Sequence, residues 1–169
     1  LPFGEKGLPA LFKKVFKKIS FHTKPIKADV FIISVPTPIT QKRGIDLSYV
    51  VSATESIVPV LSDGNLVILE STVSPGTCAK ILKKILDRSG KKYFLAHCPE
   101  RAFPGKTMYE MVYNDRVIGG IDKTAEKLSV AIYKTFIKGE IITTDATTAE
   151  TVKILENAYR NVNIAFANE

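Results

Sequence analysis

The chain of 169 residues is 45% hydrophobic with a mean hydropathy of +0.07, which predicts a globular domain with one sizeable core. No apolar run reaches the roughly 20 residues of a membrane helix, so we expect no membrane partner. The net charge of +7 would suit nucleic acid, but the clustered lysines share predicted helices with apolar residues, which argues against that partner and fits an anionic small substrate equally well.

Strands and helices alternate along the first half of the chain. A proline in the first turn predicts a helix at 8–19, and a nearly continuous apolar run predicts a strand at 30–35. Asp46 is placed to cap the next helix. A second apolar run then predicts a strand at 66–69, and helical spacing predicts a helix at 78–88.

The second half continues this alternation. A third strand is predicted at 92–96, and a long irregular segment then leads to a fourth strand at 116–118. A helix at 124–136 and a strand at 141–144 follow, before a final helix. The order of elements predicts an α/β fold with a doubly wound, mostly parallel sheet.

The final helix, at 147–169, has two distinct faces. Thr147 and Glu150 form a capping-box pattern that predicts its start. Lys153, Asn157 and Arg160 fall on one face, because positions i, i+4 and i+7 share a side at about 100° per residue. The opposite face is predicted to be buried and carries the apolar residues Val152, Leu155, Ala158, Tyr159, Val162, Ala165 and Phe166. Alone, the polar face is compatible with either a solvated surface or a binding site.

Ligands of parallel sheets bind beyond the carboxyl ends of the strands, where three loops stand out. Thr37 follows the first strand. In the ESTVSPGT loop after the second strand, Ser71, Thr72 and Thr77 lie before a helix N-terminus, which predicts donors for a phosphate or a ribose, unless Thr77 only caps the helix.

The HCPERAFPG loop after the third strand concentrates more chemistry. Glu100 could orient a water or act as a general base, and Arg101 could clamp a phosphate or carboxylate. Cys98 is interpreted as a buried structural residue rather than a nucleophile. With Cys78 it forms no CxxC pattern, so neither a disulfide scaffold nor a metal site is predicted, and a reducing cytoplasm is expected. No G-x-G-x-x-G fingerprint occurs.

Five segments together resemble the UDP-glucose/GDP-mannose dehydrogenase family: ADVFIISVPTPI, LVILESTVSPGT, HCPERAFPGK, RVIGGID and AETVKILENAYRNVNIAFANE. The PER form of the third segment, rather than PEF-L, resembles the branch that oxidises UDP-N-acetylmannosamine. The resemblance implies a Rossmann-like fold, NAD as cofactor and a UDP-sugar as substrate. It also implies a four-electron oxidation of the sugar C6 alcohol through an aldehyde and a cysteine thioester.

The resemblance also implies a role for several residues. Thr37 and Thr72 match threonines that line the NAD site. Three residues match catalytic groups: Glu100 beside the hydrolytic water, Lys153 at C6, and Asn157. Substrate contacts are implied for Arg101, Ala102, Lys153, Asn157 and Arg160.

The family's glycine fingerprint and nucleophilic cysteine are not matched in these residues. The resemblance therefore implies an interior piece of the enzyme, inactive alone, whose sheet lacks the first strand–helix–strand unit. Residues 1–146 would be a partial NAD-binding domain, and 147–169 the start of a central helix through which a homo-oligomer forms. The alternatives are UDP-N-acetylglucosamine or UDP-glucose as substrate, or a non-catalytic, truncated module that binds a nucleotide-sugar.

Overall fold

Five strands form a single sheet in the order β1-β2-β3-β4-β5, in a computed structural model that describes residues 5–41, 44–103 and 105–169. The strands are β1 (Val30–Ile33), β2 (Leu66–Leu69), β3 (Phe94–His97), β4 (Arg116–Gly120) and β5 (Ile141–Asp145). All neighbours are parallel except β3 and β4, which run antiparallel. The predicted α/β class with a mostly parallel sheet is therefore confirmed.

Six α-helices connect or flank the strands in the described part of the chain: α1 (Leu8–Val15), α2 (Ser48–Ile57), α3 (Lys83–Leu86), α4 (Thr107–Tyr113), α5 (Lys123–Tyr133) and α6 (Ala146–Asn168). A π-helical turn, Cys78–Leu82, leads directly into α3, so the predicted helix at 78–88 is present with a widened first turn. The prediction of an irregular segment before β4 was wrong, because α4 lies within it. None of the described helices is both long and apolar enough to cross a membrane.

Alternate residues of β2 face two separate cores. Val67 and Leu69 pack against α2 and α3, whereas Leu66 and Ile68 pack against Tyr133 of α5. This division follows from the two-residue repeat of a strand, and it makes every residue of β2 buried. The sheet is thus covered by helices on both faces, as predicted for a doubly wound fold.

The two glycines that end β4 allow helices to approach the sheet closely from both sides. A Cβ on Gly119 would lie 2.5 Å from the carbonyl oxygen of Asp145 and 2.7 Å from the Cβ of Ala149. On Gly120 it would lie 2.6 Å from the backbone nitrogen of Glu126, in α5. Only glycine leaves room for both contacts, so the end of β4 allows the first turns of α5 and α6 to pack directly against the strand.

The start of α6 differs from the predicted capping box. Asp145 is the N-cap, and its carboxylate accepts hydrogen bonds from the backbone N–H and the hydroxyl of Thr148, at 3.0 and 2.5 Å. Glu150, the predicted partner of Thr147, is fully buried, and its carboxylate instead accepts hydrogen bonds from the backbone N–H groups of Gly76 and Cys78. The prediction was wrong because a long-range partner outcompeted the local cap.

The apolar face of α6 is not buried in this chain. Leu155, Val162 and Phe166 are 61%, 67% and 83% exposed, while the buried residues of α6 are Ala146, Ala149, Glu150 and Lys153. Small residues pack on Gly119 because they permit close approach, and the large apolar side chains extend past the sheet. Helical periodicity correctly grouped these side chains on one face. The prediction that this face is buried was wrong, because no other part of the same chain covers it among the described residues.

Candidate functional site

A first pocket forms where the loops after β1 and β2 meet α6. We call it the threonine pocket; its volume is about 480 Å³, and it is lined by Thr37, Ile39, Ile45, Thr72, Ile154, Asn157, Ala158 and Asn161. Ile39 and Ile45 pair as an isolated bridge that forms one wall. The structure therefore brings together three of the predicted site residues, Thr37, Thr72 and Asn157.

A second pocket lies along the next turns of α6. We call it the arginine pocket; its volume is about 490 Å³, and it is lined by Arg101, Glu156, Tyr159, Arg160, Asn163, Ile164 and Ala167. Arg101 forms a 2.7 Å ion pair with Glu156, and the guanidinium of Arg160 lies 4.5 Å from the centre of the Phe103 ring. Two cations thus share one concave surface, held by an acid and by an aromatic ring.

Lys153 lies one helical turn before both Asn157 of the threonine pocket and Glu156 of the arginine pocket. It is only 8% exposed, and its Nζ donates a hydrogen bond to the backbone carbonyl of Glu100. Burial lowers the pKa of Lys153; the negative charge of Glu156 partly opposes this shift. A buried amine with a lowered pKa gives up its proton more readily than an exposed lysine, which suits it to proton transfer.

Both oxygens of the Glu100 carboxylate accept hydrogen bonds, one from its own loop and the other from β4. One oxygen accepts the backbone N–H groups of Arg101 and Ala102, each at 2.5 Å. The other accepts a hydrogen bond from Arg116 at 3.2 Å. Ala102, predicted to contact substrate, thus has its backbone N–H bound to Glu100. The carboxylate is held in one orientation next to the carbonyl that binds Lys153.

The predicted phosphate site before the 78–88 helix is occupied by the protein itself. Glu150 accepts hydrogen bonds from the backbone N–H of Gly76 at 2.5 Å and of Cys78 at 2.8 Å. The Ser71 hydroxyl exchanges hydrogen bonds with the backbone of Val35, and the Thr77 hydroxyl donates to Ser74. The prediction that this helix end and these two hydroxyls bind a ligand was therefore wrong. Of the three, Thr72 lines the threonine pocket.

A buried cluster of Cys78, His97 and Glu150 has the donor atoms of a metal site, within 4.8 Å of one another. A single zinc ion with bonds of 2.0–2.3 Å would bring its ligands to about 3.5 Å apart. Both oxygens of Glu150 already accept backbone N–H groups. Burial raises the pKa of Cys78 well above its usual range, which keeps it a thiol. Within this cluster, Glu150 therefore links α6 to the segment after β2 that contains Gly76 and Cys78.

His97 is an unusual member of this cluster. It is fully buried, and neither ring nitrogen has a hydrogen-bond partner among the described residues. Burial lowers its pKa to about 4, so the ring is neutral. Cys98, one residue later, is also buried, and burial raises its pKa to about 12, consistent with its interpretation as a structural residue.

Three residues of the site were missed by sequence reasoning: Arg116, Glu150 and Glu156. Arg116 had a signal, because a charged residue at the start of a short strand that is otherwise apolar and glycine is expected to be paired if buried. Glu150 lies three positions before Lys153 and so shares its helix face. Glu156 had the same signal, because it lies three positions after Lys153 and four before Arg160, but its ion pair with the distant Arg101 had none.

Comparison with known proteins matches residues 1–137 to the NAD binding domain of the UDP-glucose/GDP-mannose dehydrogenase family. The chain belongs to this family. A UDP-N-acetyl-D-mannosamine dehydrogenase of Methanococcus maripaludis (strain DSM 14266) is 49% identical over 175 residues, which cover 100% of this chain and 40% of that protein. The corresponding enzyme of Methanocaldococcus jannaschii is 51% identical over 98% of this chain and 39% of its own length.

Solved structures of dehydrogenases share the fold. The native structure of the UDP-N-acetyl-mannosamine dehydrogenase of Staphylococcus aureus matches with a TM-score of 0.92 and 43% identity, over 99% of this chain and 43% of that one. A GDP-mannose dehydrogenase from Pseudomonas aeruginosa matches with a TM-score of 0.90 and 27% identity, over 99% and 42%. The Rossmann-like fold is confirmed. The chain spans about 40% of the length of the relatives that it matches.

NAD is the cofactor of this dehydrogenase family, and the threonine pocket fits one part of it. Its isoleucine side chains can cover a flat ring, while Thr37, Thr72 and the nearby asparagines can bind ribose hydroxyls and an amide. The helix end before Cys78 cannot bind the pyrophosphate, because Glu150 occupies it. The residues present therefore fit a nucleoside part of NAD, with its flat ring and its ribose.

Proposed function

We propose that this chain is the NAD-binding part of a longer dehydrogenase that oxidises the C6 alcohol of UDP-N-acetylmannosamine to the carboxylate. The overall reaction consumes one water and two NAD⁺, and it releases two NADH and three protons per sugar. The observation that carries the proposal is the position of Lys153, one helical turn from both the threonine pocket and the arginine pocket.

The threonine pocket is the proposed cofactor side. Thr37 and Thr72 would bind the ribose next to the nicotinamide, and Ile154 would cover one face of the ring. When bound, NAD accepts the hydride from C6. Asn157 lies in the same pocket and is placed on the Lys153 face of α6, so we assign it to the contact between cofactor and sugar.

The arginine pocket is the proposed UDP-sugar side. Arg101 and Arg160 offer guanidinium groups, which bind phosphate oxygens in pairs. The ion pair with Glu156 fixes Arg101, and the ring of Phe103 covers Arg160. The loop backbone at Ala102 follows Glu100 directly, and we assign it to contact with the sugar.

Lys153 and Glu100 are the proposed reacting groups of the protein. Burial lowers the pKa of Lys153, which favours proton exchange with the C6 oxygen as the alcohol loses its hydride. Glu100 is held next to Lys153 by its own carbonyl and is assigned to orient the water that becomes the second carboxylate oxygen. The family's cysteine nucleophile would come from residues outside this chain.

The proposal also selects one substrate, UDP-N-acetylmannosamine, among the sugar nucleotides that the family oxidises. This choice is favoured by the names of two relatives, both UDP-N-acetyl-D-mannosamine dehydrogenases, whose sequences are 49% and 51% identical to this chain. UDP-N-acetylglucosamine and UDP-glucose remain the alternatives, because the arginine pocket recognises the nucleotide part that all three share.

We also propose that residues 1–146 form the NAD-binding domain and 147–169 the first part of a connecting helix that joins two copies. The exposed apolar residues Leu155, Val162 and Phe166 on α6 support this arrangement, since burying them between copies removes a large apolar surface from water. A cytoplasmic location remains a prediction.

The test is an assay of the protein at its full encoded length. NADH formation is followed with UDP-N-acetylmannosamine, UDP-N-acetylglucosamine and UDP-glucose. We expect two NADH per sugar and a kcat/KM for the first substrate at least about tenfold above the others. Absence of NADH with all three sugars would contradict the proposal, and turnover by the 169-residue chain alone would contradict its assignment as an inactive part.

A further inference from the structure

Arg116 is a buried cation at the start of β4 that joins this strand to the loop after β3. Its side chain is 4% exposed. The guanidinium donates hydrogen bonds to the backbone carbonyl of Pro99 at 3.1 Å and to the carboxylate of Glu100 at 3.2 Å. Its central carbon lies 4.9 Å from the centre of the Tyr133 ring. With one edge engaged and one face covered, the guanidinium is confined to a single orientation.

The contacts of Arg116 determine where Glu100 points. Because Arg116 holds one carboxylate oxygen, the other oxygen is directed to the backbone N–H groups of Arg101 and Ala102. The carbonyl of the same residue accepts the hydrogen bond from Lys153. A shift of Glu100 would therefore move both its carboxylate and the partner of the Lys153 amine.

We propose that Arg116 is a positioning residue for the reaction, which holds the Glu100 carboxylate and, through the Glu100 carbonyl, the amine of Lys153. The inference rests on the proposed function, because it assigns Arg116 to the same site. Arg116 lines neither the threonine pocket nor the arginine pocket. Its effect on the reaction passes through Glu100 rather than through the substrate.

A structural role and a positioning role predict different results when Glu100 is already altered. If Arg116 only stabilises the fold, its loss lowers activity equally with or without the Glu100 carboxylate. If Arg116 acts by holding that carboxylate, its loss matters only while the carboxylate is present. The pair Glu100 and Arg116 therefore allows a double-mutant cycle that separates the two roles.

The cycle uses the protein at its full encoded length, with kcat for NADH formation as the readout. Arg116→Gln is expected to lower kcat about 10- to 100-fold in the wild-type background, but less than about threefold in the Glu100→Gln background. Arg116→Lys keeps the charge and is expected to restore part of the rate. Equal losses in both backgrounds overturn the proposal. Arg88→Gln, which breaks the exposed 3.0 Å Arg88–Glu55 ion pair, is the matched control and is expected to leave kcat unchanged.

A second measurement does not depend on activity. Hydrogen exchange at the amides of Arg101 and Ala102 reports directly on the Glu100 carboxylate that binds them. In Arg116→Lys we expect exchange of these amides to accelerate about tenfold, with little change at amides of β2. If the wild type forms no NADH with any UDP-sugar, the proposed function fails, whereas exchange still tests whether Arg116 holds the Glu100 carboxylate. Unchanged exchange at both amides overturns it.

Discussion

The carboxylate of Glu150 on α6 accepts the backbone N–H of Cys78 at 2.8 Å, although 72 residues separate the two in sequence. The same carboxylate accepts the N–H of Gly76 at 2.5 Å, and Glu150 is fully buried. The bonds join α6 to the loop that carries Thr72. They also satisfy backbone donors at a helix N-terminus, where a negative charge is favourable.

Replacement of Glu150 is expected to destabilise the fold strongly. In Glu150→Gln the amide can accept through one atom only, and its NH₂ group faces a backbone donor. The lost charge-assisted bond and the unpaired donor should cost about 2 kcal/mol or more in the free energy of unfolding, measured by urea denaturation. Glu55→Gln removes a half-exposed carboxylate and serves as control, with an expected change below about 1 kcal/mol. Equal effects for the two variants would refute the capping role.

His97 should make the protein sensitive to mild acid. Burial lowers its pKa to about 4, so the unfolded chain binds a proton at pH values where the folded chain does not. The stability from the neutral ring is complete above about pH 6.5 and is lost as the pH falls towards 4. Between pH 7 and 4.5 the loss from this group is about 2.5 kcal/mol.

The variant His97→Gln does not titrate in this range and should lose correspondingly less stability on acidification. Urea denaturation at the two pH values, with wild type and variant side by side, gives the difference. His22→Gln is the control, because His22 is exposed and, among the described residues, its hydrogen bond is a local one to Ser20. The prediction fails if the His97 variant and the wild type lose equal stability.

Lys153 is expected to govern turnover more than binding. Lys153→Met in the full-length protein should lower kcat for NADH formation about 100-fold or more, since a positioned acid–base group contributes about that factor. The KM for NAD should change little, because the proposed cofactor contacts lie on Thr37 and Thr72. Lys123→Met removes an exposed lysine of α5 and should leave both constants unchanged. A change confined to KM would assign Lys153 to binding alone.

Glu156 should influence the pH dependence of the same step. Its negative charge raises the pKa of Lys153 against the effect of burial. Glu156→Gln removes that charge, so the limb of the kcat profile that belongs to Lys153 is expected to move to lower pH. The KM for the UDP-sugar should also rise, because Arg101 loses its 2.7 Å partner. An unmoved limb in a profile measured from about pH 6 to about pH 10 would show that Glu156 acts on Arg101 only.

The exposed apolar face of α6 should control association between copies. Val162→Glu places a charge in a face that is 67% exposed at that residue and would be buried in a dimer. We expect the full-length protein to change from a dimer to a monomer in sedimentation velocity experiments. Lys127→Glu makes a larger charge change, from a cation to an anion, on α5 and should leave the dimer intact. A wild type that is already monomeric at high concentration contradicts the proposal.

Patterns that depend on near neighbours were predicted well from the sequence. The strand at 66–69 matches β2 residue for residue, because apolar runs between turn residues determine it locally. The helix at 78–88 is also present, and the spacing of Lys153, Asn157 and Arg160 places them along one side of α6. These features need no knowledge of what packs against them.

Features that depend on distant partners were predicted poorly. Glu150 looked like half of a capping box, yet its partners lie at Gly76 and Cys78. The apolar residues of α6 share a face, but periodicity does not reveal whether anything in the same chain covers it. Arg116 could not be linked to Glu100 before the antiparallel pairing of β3 and β4 was known.

Contact with Gly119 fixes the rotational phase of α6. Because a Cβ at Gly119 would lie 2.7 Å from Ala149, the helix has essentially no freedom to turn or slide at that point. Each residue beyond Ala149 advances about 1.5 Å and 100°. One inserted residue between Ala149 and Lys153 would therefore rotate Lys153 away from the Glu100 carbonyl, and Asn157 and Arg160 away from their pockets. The length of this short segment, as much as its composition, specifies the site.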